Sequence, residues 1–217
     1  MPDFHAQRLN MVASQILANE VTDDRVLEAF RQVPRERFVP PQKLALAYAD
    51  APIELVHGRW LLEPRTFAKL VQLAEILPSE RVLDVGCATG YSTSVLARIA
   101  RQVVGLDQDA EFLRIATERL RDAGSLNASI VQGPLAEGNR AMGPYDAIVV
   151  NGAIEIRPEK LLAQLAEGGR LVAVFQHDAQ GHAVVYLNER GRVGRRLAFD
   201  ASAAVLNAFR EPAGFVF

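Results

Sequence analysis

At 217 residues, 49% of them hydrophobic and 23% charged, with a formal net charge of −2, the chain has the composition of one ordinary globular domain and lacks the length for two full-sized ones. Acids and bases are interspersed throughout, so no basic field exists to hold a phosphate backbone and no nucleic-acid partner is expected. One cysteine, Cys87, and four scattered histidines exclude an intramolecular disulfide and offer no zinc spacing; no apolar run approaches the ~20 residues that span a bilayer, and residues 1–5 lack the start of a secretory leader, so the expected location is cytoplasmic.

Leu9, Val12, Ala13, Ile16 and Leu17 repeat at the spacing of one helical face and predict a first amphipathic helix. Thr22-Asp23-Asp24 offers side-chain oxygens to cap a second helix carrying Val26, Leu27, Ala29 and Phe30, which Pro34 stops. A third is predicted after Pro64, through Phe67, Leu70, Val71 and Ala74 to Leu77. From residue 81 short apolar runs alternate with helical periods, the pattern of a parallel sheet with crossover helices. The predicted strands are 81–85, 102–106, 128–131 and 147–150, with a helix capped by Asp109 and ended by Gly124 between the second and third. After Pro158 a helix through Leu161, Leu162 and Leu165 is predicted to stop at Gly168-Gly169, followed by a strand over 170–175. Runs 181–187 and 193–199, around a turn carrying Gly191, predict a closing hairpin. The fold class expected is α/β, a doubly wound, mostly parallel Rossmann-like sheet with N-terminal helices and a C-terminal β-hairpin. Its helical segment and substrate loop occupy 1–80 and its cofactor-binding sheet 81–217, within a single domain.

The run Val82-Leu83-Asp84-Val85-Gly86-Cys87-Ala88-Thr89-Gly90 places a tight glycine loop at the carboxyl end of a strand, where open α/β sheets bind ligands. A dinucleotide fingerprint would need glycines at 86, 88 and 91, and Ala88 and Tyr91 break it. Asp84 suits a cofactor with a cationic ammonium near the loop, as S-adenosylmethionine has. Asp107, at the end of the next strand, stands where an acid can accept both ribose hydroxyls. The competing structural readings are a capping acid for Asp84 and a turn residue for Asp107. Cys87 reads as a small loop filler.

Met11-Val12, Asp24-Arg25-Val26-Leu27, the run Val33-Pro34-Arg35-Glu36-Arg37-Phe38-Val39-Pro40 and Tyr48-Ala49-Asp50 precede this loop. Pro144-Tyr145-Asp146, Gln164-Leu165, Gly168-Gly169-Arg170-Leu171-Val172 and the ending Glu211-Pro212-Ala213-Gly214-Phe215-Val216-Phe217 follow it. On these stretches the chain resembles, over nearly its whole length, the protein-L-isoaspartate O-methyltransferase family. The resemblance implies a class I methyltransferase fold, S-adenosylmethionine as cofactor, and methylation of isoaspartyl carboxyls in a protein or peptide substrate. The cofactor residues it implies are Asp84, Gly86, Cys87, Ala88, Gly90, Asp107, Gln108, Pro134, Leu135 and Asn151; the substrate side is His57, Gly58, Trp60 and Leu62, with no metal.

Three stretches depart from the family pattern, one of them after the fifth strand, where the family's proline and glycine are replaced within Val172-Ala173-Val174-Phe175-Gln176. Gly-Gln-Thr-Ile-Ser-Gln-Pro becomes Gly58-Arg59-Trp60-Leu61-Leu62-Glu63-Pro64, so Leu62 stands at the family's active-site serine and no catalytic side chain is expected there. The family's Gly-Asp-Gly becomes Gly133-Pro134-Leu135, which removes the acid expected at the adenine amino group and leaves apolar contact. Two consequences stay open: reduced or redirected isoaspartyl activity, or a catalytically inactive S-adenosylmethionine-binding module. Trp60 and Leu62 either change the substrate mouth or pack against the N-terminal helices.

Overall fold

A computed structural model describes residues 2–56, 58–177 and 180–212; the expectation for His57 and the resemblance at 213–217 lie outside the described residues. Nine strands form in chain order: β1 (Ile53–Val56), β2 (Arg59–Leu61), β3 (Arg81–Val85), β4 (Gln102–Asp107), β5 (Ala128–Gln132), β6 (Tyr145–Ile154), β7 (Leu165–His177), β8 (Gln180–Glu189) and β9 (Arg192–Asp200). The helices are α1 (Phe4–Met11), α2 (Asp24–Gln32), α3 (Pro64–Leu73), α4 (Tyr91–Leu96), α5 (Ala110–Asp122) and α6 (Glu159–Leu162).

Seven strands make one sheet in the order β5-β4-β3-β6-β7-β8-β9. The pairs from β5 to β7 are parallel, and β7-β8 and β8-β9 are antiparallel. The doubly wound expectation and the closing hairpin are thus borne out; Arg190 and Gly191, at φ +52° and +74°, form its turn, as two-residue hairpin loops require. The chain runs outward from β3 to β4 and β5 and then returns to the other side of β3 as β6. That reversal opens a crevice at the carboxyl ends of β3 and β6, where such sheets bind ligands.

Alternation along the strands feeds two cores. Val82 packs with the N-terminal segment and α3, while Leu83 and Val85 pack with Leu106, Tyr145 and Leu161 on the other face. Near the crevice, Tyr91 lies among Phe30, Phe38 and Phe67, with ring centroids 6.3, 5.6 and 6.0 Å away. Fully buried Arg35 crosses this cluster 4.9 Å above the Tyr91 ring and donates to the carbonyls of Ala47 (2.9 Å) and Leu62 (2.7 Å).

Four elements differ from expectation. The first helix begins at Phe4, capped by Asp3, and passes into a π turn over Val12–Ile16. The wider turn rotates the apolar face, so Met11, Val12 and Ile16 are buried while Leu9 and Leu17 are exposed. The third helix ends at Leu73. α6 ends at Leu162 rather than near Gly168, because Leu165 pairs with Tyr145 and starts β7. Within 1–80 the expected loop is the antiparallel hairpin β1-β2, with Ile53 opposite Leu61 and Glu54 opposite Trp60.

Arg35 ties three parts of the N-terminal segment to α4 through groups that water does not reach. Arg35→Ala should therefore lower unfolding free energy by about 3–5 kcal/mol, from the vacated volume and two orphaned carbonyls. Urea denaturation measures this, and a loss under about 1 kcal/mol would refute the tie.

Candidate functional site

The loop after β3 is shaped by its own backbone. Gly86, Ala88 and Gly90 adopt φ of +78°, +46° and +90°, a region costly for side chains other than glycine. A Cβ on Gly90 would lie 3.1 Å from that of Ala116 on α5, so glycine also permits close packing there. The N–H groups of Gly86 and Cys87 donate to Leu106 O, that of Ala88 to Asp107, and that of Gly90 to Cys87 O. With four loop donors consumed internally, the loop does not form the N–H cradle that a pyrophosphate needs. It offers instead a pinned, tightly curved floor.

Asp84 and Asp107 end adjacent strands, and neither has any solvent exposure. Asp84 accepts from Ser92 (2.7 Å) and Thr93 (2.5 Å) of α4, and from Asn151 of β6. Asn151 reaches it where β6 slips its register against β7, between Val149 and Ala153. Asp107 is even more heavily engaged. Its Oδ1 accepts from Arg59 Nη1 (3.0 Å), Gln108 N (2.8 Å) and Asp109 N (3.3 Å), and its Oδ2 from Arg59 Nη2 (2.8 Å) and Ala88 N (2.8 Å). Arg59 Nη2 also donates to Gly86 O at 3.0 Å, and the guanidinium lies 5.5 Å from the Phe112 ring centroid.

The structure thus brings together Asp84, Gly86, Cys87, Ala88, Gly90, Asp107 and Asn151. Gln108 contributes its backbone N–H to Asp107 and is itself exposed. Pro134 is exposed, whereas Leu135 is buried in the core with Val85 and Leu106. Gly58 lies exposed at the hairpin tip, and Trp60 retains 37% of its surface. Leu62 packs in the core with Phe67 and the N-terminal segment, so that alternative describes Leu62 while Trp60 stays at the surface. Cys87 is buried, and its thiol is pushed well up by burial and then by Asp84 and Asp107, which suits a filler rather than a nucleophile.

Three partners escaped the sequence reading. Ser92 and Thr93 were legible as hydroxyls in the first turn of a helix facing a buried acid. Arg59 was legible only as a cation at a glutamine position, with α3, β3 and α4 between it and the acid it pairs with. A cavity of about 310 Å³ lies between Phe38, Leu55, Thr89 and Phe112. A roomier one of about 870 Å³, lined by Arg25, Glu80 and Arg170, sits at the opposite ends of the strands and touches none of the expected site residues.

Comparison with known proteins supplies the context for this geometry. The sequence profile of the family described as protein-L-isoaspartate(D-aspartate) O-methyltransferase matches residues 7–197. The chain is 41% identical over 167 residues to a protein-L-isoaspartate O-methyltransferase of Picosynechococcus sp., covering 77% of this chain and 75% of that protein. It is 36% identical over 192 residues to one of Koribacter versatilis, covering 88% and 86%. Among solved structures, a protein-L-isoaspartate O-methyltransferase superposes with a TM-score of 0.81 at 22% identity, over 92% of this chain and 66% of that one. A Plasmodium falciparum protein described as a β-aspartate methyltransferase, solved with S-adenosyl-L-homocysteine, gives 0.80 at 24%, over 93% and 98%. These structural likenesses concern the fold.

Asp84 also sets a pH dependence. Burial raises Asp84 to about 6, against the opposing hydrogen bonds from Thr93, Ser92 and Asn151, with Asp107 adding to the rise. An acid raised on folding binds more protons folded than unfolded, so its contribution to stability is greatest at low pH and is lost as pH rises from about 4 through 6. Asp84→Asn removes that loss. Relative to the unmutated protein, its unfolding free energy should gain about 2 kcal/mol between pH 4.5 and pH 7.5. Urea titrations at the two pH values test this, and an unchanged difference would show that Asp84 titrates normally.

Proposed function

This chain belongs to the protein-L-isoaspartate(D-aspartate) O-methyltransferase family, and on that premise we propose that it methylates a carboxylate of a protein or peptide, with reduced or redirected activity toward isoaspartyl residues. Membership makes it an S-adenosylmethionine-dependent methyltransferase. The observation that carries the reading is the pair of buried acids on adjacent strands around a pinned loop, at the crevice where the sheet reverses direction.

The chain's residues fit the cofactor in this way. The loop 86–90 forms the floor, and Asp107 is the acceptor for the ribose hydroxyls. Asp84, sealed by Ser92, Thr93 and Asn151, acts on the ammonium end through its charge rather than by contact. Gln108 and Pro134 flank the adenine side, where Pro134 has neither a side-chain acceptor nor an N–H, and Leu135 supports that edge from the core.

S-adenosylmethionine supplies an already activated methyl group, and a carboxylate is already ionised near neutral pH, so positioning is the protein's main contribution. No general base is required. The exposed end of the hairpin, with Gly58 and Trp60, is the substrate side of the site. Leu62 packs in the core behind it and offers a substrate carboxylate no hydroxyl. We read the enzyme as cytoplasmic, with protein rather than nucleic acid as its partner.

Tritiated methyl transfer, run in parallel on an isoaspartyl peptide and on whole-lysate proteins, tests this reading. The expected outcome is base-labile label on lysate proteins and poor labelling of the peptide. Robust peptide turnover would return the chain to the ordinary repair enzymes, and binding without any transfer would leave a cofactor-binding module. Because Leu62 is buried, Leu62→Ser should destabilise the fold by about 1–3 kcal/mol and restore little peptide activity. A stable Leu62→Ser variant with strong isoaspartyl turnover would contradict that.

A further inference from the structure

On the cofactor reading Asp107 accepts the ribose diol, and its acceptor capacity is already exhausted. A carboxylate offers about four lone-pair sites. Five donors converge on this one: two from Arg59 and the N–H groups of Ala88, Gln108 and Asp109. The three N–H groups belong to the loop and to the strand end itself, so they cannot leave without unravelling the site. Arg59 can leave, because it comes from the short hairpin β1-β2, in a sheet of only two strands.

The guanidinium is also poorly exposed for an arginine, its side chain retaining 15% of its surface beside a fully buried carboxylate. Gly86 O fixes it from below and the Phe112 ring lies against it. A Cβ built on Gly86 would stand 3.2 Å from Arg59 Nη2, so the guanidinium rests directly against the glycine loop. It therefore fills the volume over that loop as well as the acceptor.

We propose that Arg59 is a latch that holds the ribose-binding carboxylate closed, so that cofactor entry requires Arg59 to exchange Asp107 for another partner and the β1-β2 hairpin to move. This rests on the cofactor reading above. The latch is a competition for one carboxylate: the ribose hydroxyls replace the bidentate guanidinium, and the three backbone donors stay. Neighbouring Trp60, the only tryptophan of the chain and cross-strand from Glu54, moves with the hairpin and couples substrate-side geometry to cofactor occupancy.

The exchange lowers apparent affinity by the fraction of molecules in the open state. Calorimetric titration of S-adenosylhomocysteine into the full chain should show Arg59→Gln binding about 10 to 100-fold tighter than the unmutated protein. Arg59→Lys, which cannot span both carboxylate oxygens, should fall between them. Without ligand, Arg59→Gln should melt at a lower temperature, and its ligand-induced rise in melting temperature should be larger. Trp60 fluorescence, excited clear of adenine absorption, should change on binding in the unmutated protein with the calorimetric midpoint.

Equal affinity in all three proteins, with no Trp60 response, would overturn the latch and leave the cofactor reading intact. Weaker binding by both variants would assign Arg59 to holding the ligand and also overturn it. If the unmutated protein and both variants stay folded by circular dichroism yet bind no S-adenosylhomocysteine at millimolar concentration, the cofactor reading itself fails and the latch with it.

Discussion

Two carboxylates buried side by side at the ends of β3 and β4 constrain everything around the crevice. A buried charge without partners is too costly to keep, so each acid dictates its surroundings. Asp84 draws the first turn of α4 and a register slip in β6 toward itself. Asp107 draws in the backbone of the glycine loop and of the following turn. The positive φ values at Gly86, Ala88 and Gly90 are what allow a chain leaving β3 to reach back to β4. Loop shape and acid placement are thus one feature.

The N-terminal segment completes this arrangement from above. Thr89 donates to Phe38 O at 2.7 Å, so the loop's far side is fastened to the stretch that Arg35 organises. Arg35 in turn grips the carbonyl of Leu62 and stacks on Tyr91, the first residue of α4. The hairpin that carries Arg59 and the helix that satisfies Asp84 are therefore referenced to the same buried guanidinium. Changes at 58–64 act on a rigid base and a movable tip, with Leu62 in the base and Arg59 and Trp60 in the tip. That division explains how one seven-residue stretch can alter substrate recognition and cofactor access together.

The sheet was legible because its parallel strands are short, continuously apolar runs between helical periods, and the glycine loop because few residues other than glycine tolerate its backbone. Asp84 and Asp107 were found by their place at strand ends. β1 and β2 were missed because four- and three-residue strands with mixed burial leave no period to read. The overlong reading of α6 followed from Leu161, Leu162 and Leu165, whose helical spacing yields to the pairing of Leu165 with Tyr145. The π turn is invisible to a 3.6-residue period. Arg59 was unreadable as a partner of Asp107 because 48 residues, with α3, β3 and α4 among them, separate the two in sequence.

A crystal structure of the full chain with S-adenosylhomocysteine tests the central claim most directly, since occupancy of one carboxylate is at issue. The predicted result is ribose hydroxyls within hydrogen-bond distance of both Asp107 oxygens, the Ala88 and Gln108 N–H bonds retained, and the Arg59 guanidinium withdrawn with its hairpin. Ligand bound at the loop with the Arg59–Asp107 pair still closed would contradict the account.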